Sequence, residues 1–174
     1  MKQTQPPKKQ LIKPEMLIAV FAILISMSTL FVYIYQSNLM KQQQKMSVWP
    51  YLSYGPSWSP DHLRISMINK GIGPAIISKV RLTFDGEEIE GMEKLMNLVP
   101  DSLRSPFTYS SVWPGLVVMA GETITLLSVS EPQTVEYLLG NILNEKISLE
   151  VCYTSVYGDS WVSYGTYVEE ARCR

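Results

Sequence analysis

The sequence is poor in the residues from which familiar chemistry is built: it has one histidine, two cysteines and no glycine-rich phosphate loop. His62 has no nucleophile and orienting acid at a recognisable spacing, which removes the usual signatures of serine and cysteine hydrolases. It reads as a residue at the start of a strand, beside Asp61. Two cysteines cannot hold zinc unaided. No enzyme, metal site or cofactor is therefore expected. Internal repeats and low-complexity tracts are also absent.

One long stretch lacks charge, Gly and Pro altogether. MLIAVFAILISMSTLFVYIY, residues 16–35, is twenty residues long, about 30 Å as a helix, which is the thickness of bilayer hydrocarbon. A helix apolar on every face would need a large surrounding core if it were buried, and the rest of a 174-residue chain is too short to supply one. A transmembrane helix is expected. The run is longer than a signal-peptide core and leads through Phe31, Tyr33 and Tyr35 into Gln36 with no small-x-small site, so it reads as an uncleaved signal anchor. Lys2, Lys8, Lys9 and Lys13 precede it, whereas only Lys41 and Lys45 follow closely. That imbalance predicts a single pass with the N-terminus in the cytosol and the C-terminal domain periplasmic or extracellular. Tyr33 and Tyr35 suit an interfacial belt.

The organisation follows: a basic tail over 1–14, the transmembrane helix over 15–36, a helical stalk over 37–47 and a β domain over 48–174. QSNLMKQQQKMS is polar and free of Gly and Pro, so the helix should continue outward for two or three turns. Regular helix is not expected beyond Pro50.

The net charge of −1 hides a split. Residues 48–174 hold nine Lys and Arg against fifteen Asp and Glu, a balance of −6. Such a domain is a poor partner for nucleic acid or an anionic lipid surface.

Alternation marks strands at His62–Asn69, with Leu63, Ile65 and Met67 on one face, and at Ala75–Phe84, with Ile76, Val80, Leu82 and Phe84 opposite Lys79, Arg81 and Thr83. Asp85-Gly86 is a hairpin signal. Met92–Val99 suits a short helix stopped by Pro100, and 101–112 reads as an irregular loop. Leu116–Met119 and Glu122–Val129 are further strands. Val135, Leu138, Leu139 and Ile142 after Pro132 indicate an amphipathic helix, and Lys146–Thr154 with Trp161–Val168 forms a terminal hairpin. The fold class is mainly β: an antiparallel, immunoglobulin-like β-sandwich with one or two short helices behind a transmembrane helix.

Two segments carry a resemblance: Asn69-Lys70-Gly71-Ile72-Gly73-Pro74-Ala75 and Val151-Cys152-Tyr153-Thr154-Ser155-Val156-Tyr157-Gly158-Asp159-Ser160-Trp161. They resemble parts of uncharacterised bacterial proteins anchored by one membrane pass. In those proteins an N-x-G-x-G-P-A loop joins two sandwich strands and a C-Y-x-S-V-Y-G-D-x-W hairpin comes late. The first motif marks fold more than function, since Asn ends a strand, Gly permits positive φ and Pro stiffens the exit. Members of that family often carry Cys where this chain has Thr154 and Ser160, so a cross-strand disulfide there is impossible here.

Several clusters have two readings. Cys152 and Cys173 are either a disulfide stapling the tail or two unpaired thiols. Asp85, Glu87, Glu88, Glu90 and Glu93 lack calcium-loop spacing and read better as a solvated turn. Among the aromatics, Trp58, Tyr157, Trp161 and Tyr164 are the candidate surface for a ligand or partner, with core and turn packing as the alternative. Ala19, Ala22, Ser26 and Thr29 form a stripe of small residues that suits either helix pairing, and so a homodimer, or a lipid-facing surface.

The function expected is that of a non-catalytic accessory or protein-interaction module, anchored in the lipid bilayer and docking another membrane or periplasmic protein. A glycan or cell-wall binding module is the alternative. A pilin-like subunit is third, weakened by the missing Gly and internal Glu of pilin leaders.

Overall fold

The computed structural model describes residues 13–173, so Lys2, Lys8 and Lys9 of the basic tail lie outside the described residues. The chain forms two compact units that divide between Gln44 and Lys45.

Helix α1 runs unbroken from Pro14 to Met46. Pro14 opens it at the position where a missing N–H costs nothing. No residue of α1 is buried, and the helix is long and apolar enough to cross a bilayer. The Ser26 and Ser28 hydroxyls donate to the carbonyls of Ala22 (2.7 Å) and Leu24 (2.8 Å), so these polar groups are satisfied within the helix itself.

Among its described residues the second unit holds ten strands and two α-helices: β1 (Leu52–Ser59), β2 (His62–Asn69), β3 (Ala75–Phe84), β4 (Glu87–Ile89), α2 (Gly91–Asn97), β5 (Phe107–Tyr109), β6 (Val117–Val118), β7 (Thr123–Val129), α3 (Pro132–Leu143), β8 (Ile147–Thr154), β9 (Ser160–Tyr164) and β10 (Tyr167–Glu170). They form two antiparallel sheets, ordered β1-β2-β7-β5 and β10-β9-β8-β3-β4, with β6 pairing the start of β3. Alternate residues of both sheets meet in one sandwich-like core: Leu63 and Met67 from β2, Leu127 and Val129 from β7, Ile77 and Leu82 from β3, Val151 and Tyr153 from β8. Two tyrosines tie the sheets together. The Leu52 N–H donates to the Tyr153 hydroxyl at 3.2 Å, and the Tyr54 hydroxyl donates to the Leu149 carbonyl.

Leu63, Ile65 and Met67 are buried, as their alternation requires. In β3 the expected face needs correcting. A bulge between Ile77 and Lys79 inserts one residue, so Ala75 and Ile77 point inward before it and Leu82 after it, while Ile76 is only half-buried. Asp85 (φ 55°) and Gly86 (φ 87°) make the tight β3–β4 turn, with Phe84 opposite Glu87. Positive φ at both central residues is the backbone twist that two-residue hairpins favour.

Other expectations also change. Residues 101–112 are not wholly irregular, because a 3₁₀ turn over Asp101–Leu103 leads into β5, which pairs with β7. Trp161–Val168 is not one strand: Gly165, at φ 90°, turns the chain so that Tyr164 pairs with Tyr167. Only Val117–Val118 of Leu116–Met119 pairs as strand. Strand β1 went unforeseen behind Gly55 and Pro56, which it tolerates because it is an edge strand.

The loop between β2 and β3 closes on the segment that leads into β1. Asn69 is fully buried and uses both ends of its amide. Its nitrogen donates to the carbonyls of Gly73 (2.8 Å) and Val118 (3.0 Å), and its oxygen accepts the amides of Tyr51 (3.1 Å) and Gly71 (3.0 Å). A Cβ on Gly71 would stand 2.4 Å from the Trp49 carbonyl oxygen, and one on Gly73 would stand 1.9 Å from that of Val48. The glycines are there because another backbone passes against them.

Candidate functional site: a cleft between the sheet edges

The sandwich opens between the outer strand of each sheet. Gly91, at φ 81°, turns the chain after β4 so that α2 tucks Met92, Leu95 and Met96 between the sheets. The chain then returns along β5 and residues 110–114. What remains is a cleft of about 340 Å³, within the range of small ligand sites. Its floor is apolar core: Met67, Leu82, Leu126, Leu149 and Val151. Its rim carries Glu88, Glu90, Glu93, Tyr109, Ser110, Ser111 and Trp113, with Trp113 more than half exposed (55%). A second cleft, of about 400 Å³, enters from the side of Tyr54, Ile142 and Tyr164 and shares Leu82, Met92 and Leu149 with the first. Those three side chains line both clefts.

Every ionisable side chain lining the first cleft is a carboxylic acid or a tyrosine. Arg81 stands 3.7 Å from Glu88 and 3.3 Å from Glu150, and Lys94 stands 2.8 Å from Glu90. The Lys94 hydrogen bond, and then its charge, hold the Glu90 carboxyl below its ordinary range. The Tyr109 hydroxyl donates to Glu93 at 3.1 Å. That bond, the Glu93 charge and partial desolvation all keep the Tyr109 proton on, so its pKa is raised. Among the described residues no three His, Cys, Asp or Glu side chains converge as a metal site. His62 meets the Ser130 hydroxyl at 3.2 Å.

The four aromatics singled out from sequence do not share one surface. Trp161 is half-buried and stacks at 5.9 Å and 28° on the fully buried Tyr153, so it belongs to the packing. Tyr153 also meets Leu52, and Trp58 lies six residues further along β1, about 20 Å away. Tyr157 is exposed in the β8–β9 turn. Tyr164, three residues after Trp161, projects from the other face of β9 and stacks on Tyr167 at 6.4 Å. Ala19, Ala22, Ser26 and Thr29 are all exposed along α1, and the Thr29 hydroxyl, like that of Ser26, bonds to its own helix backbone. Cys152 and Cys173 are disulfide-bonded, with Cα atoms 5.8 Å apart. Thr154 and Ser160 face each other directly across β8 and β9.

Sequence reasoning missed the cleft. Its acidic rim was visible as a run of glutamates, but Tyr109 and Trp113 fall in or beside a segment read as loop. Pairing of Phe107–Tyr109 with β7 is what brings them to the same opening. No protein-family model matches the chain, and no curated protein is similar to it.

Proposed function

We propose that this chain is a single-pass membrane protein of the cell envelope, with a cytosolic N-terminus. Its outer immunoglobulin-like domain is a non-catalytic module that docks another membrane or periplasmic protein. The observation that carries the reading is the open cleft, apolar inside and rimmed by exposed Tyr109 and Trp113, since buried apolar anchors and exposed aromatics are what protein interfaces use.

Three further features support it. The order β1-β2-β7-β5 against β9-β8-β3 agrees with the ABED and CFG sheets of an immunoglobulin domain, to which β4 and β10 add an outer strand at either edge and β6 a short pairing with β3. The apolar α1, none of whose residues is buried, suits a bilayer, and the lysine imbalance around it favours the stated orientation. A disulfide between Cys152 and Cys173 fits an oxidising compartment.

Photo-crosslinking in native membranes tests the reading. With a photoreactive residue in place of Trp113, the full chain should give a discrete protein adduct that the same residue at Trp58 does not give. Absence of any protein adduct from positions around both sheets would end it.

A further inference from the structure

We infer that the cleft between β4 and β5 receives an extended segment of the partner protein in which an apolar side chain is flanked by Lys or Arg. The inference rests on the interaction-module reading and names the chemistry of what is docked.

Three observations converge on that occupant. The floor is apolar, and Met67 and Met92 line it with flexible thioether side chains that reshape readily around an inserted group. The rim carries Glu88, Glu90 and Glu93, with no Lys or Arg lining the cleft. Arg81 and Lys94 reach two of these carboxylates, but the Arg81–Glu88 contact is long, at 3.7 Å, and the Lys94–Glu90 pair is exposed, so both hold weakly and an incoming cation can replace them. An anionic segment would meet three carboxylates. Lastly, β4 and β5 are the outer strands of their sheets, and among the described residues no strand pairs with their free edges. An extended segment lying there can add main-chain hydrogen bonds while alternate side chains enter the cleft.

The test uses the full chain in phosphatidylcholine nanodiscs, panned against a display library of random linear peptides after subtraction on empty discs. Enriched peptides should carry Leu, Ile or Phe within two positions of Lys or Arg. Their affinity should fall about tenfold when Glu88→Gln, Glu90→Gln and Glu93→Gln are combined. It should be lost in Ser111→Trp, which fills the mouth from an exposed position, and be unchanged in Trp58→Ala. The glutamine variant leaves the mouth open and so tests the charge even if Ser111→Trp fails to fold. Cleft-dependent peptides that are acidic or uncharged overturn the inference, as does peptide binding that ignores both cleft variants. Binding of decylammonium without any peptide binding overturns it in favour of a small amphiphile. In each of these cases a protein adduct from native membranes would still stand for the broader reading, whereas its absence would remove both.

Discussion

Asn69 and the two glycines after it bind the start of the β domain to its first loop, and their roles differ in kind. Asn69 supplies hydrogen bonds, whereas Gly71 and Gly73 supply room. Gly73→Ala should therefore cost about 3 kcal/mol or more, because the methyl group meets backbone that cannot move aside alone. Gly55→Ala, with nothing within 4 Å and no left-handed backbone, should stay within about 1 kcal/mol. Equilibrium denaturation of the two variants makes the comparison. The motif was visible in the sequence as a turn, but the passing backbone at Val48–Tyr51 was not, since nothing in a loop's composition says what packs on it.

Tyr153 and Tyr54 give a second prediction at this scale. Burial pushes the Tyr153 hydroxyl up to about 12, with the Leu52 amide opposing and Tyr51 adding to the rise, and burial followed by Glu150 raises Tyr54 still further. Unfolded tyrosine ionises near pH ~10. Above that pH the unfolded chain has released protons that the fold retains, so stability is fully present below about pH 10 and falls as pH rises towards 12. Unfolding monitored across that range should show the loss, and Tyr54→Phe with Tyr153→Phe should flatten it.

At the scale of elements, strands with clean alternation were legible and those defined by their neighbours were not. His62–Asn69 matches its strand because Leu63, Ile65 and Met67 keep one parity throughout. Ala75–Phe84 keeps its limits but not its faces, because the bulge after Ile77 changes parity without changing composition. Three-residue β5 is strand only because β7 lies beside it. The disulfide acts at the same scale, tying the tail to β8 across a sequence separation of 21. Cys173→Ser should lower stability by about 3 kcal/mol, chiefly by freeing the unfolded chain. Thermal unfolding of the non-reduced protein and of the variant would measure it.

At the scale of the whole molecule, α1 is the element long and apolar enough to cross a bilayer. A helix with no buried residue and an apolar run of this length matches bilayer hydrocarbon in both length and polarity. The full chain should remain in the membrane pellet after alkaline carbonate extraction. Leu24→Arg with Ile25→Arg should release it, since each arginine at mid-span costs about 2.5–3.5 kcal/mol. Release of the unmodified chain would refute the anchor.

The apolar helix, the β character of residues 48–174 and the Asp85-Gly86 hairpin follow from sequence alone, because each rests on local periodicity or on one turn's backbone demands. Tertiary structure alone decided that Trp58 and Trp161 stand apart, that Cys152 meets Cys173, and that a run of glutamates borders an apolar opening. Those outcomes depend on strand order and on how far two sheets stand apart, which no stretch of the chain encodes by itself.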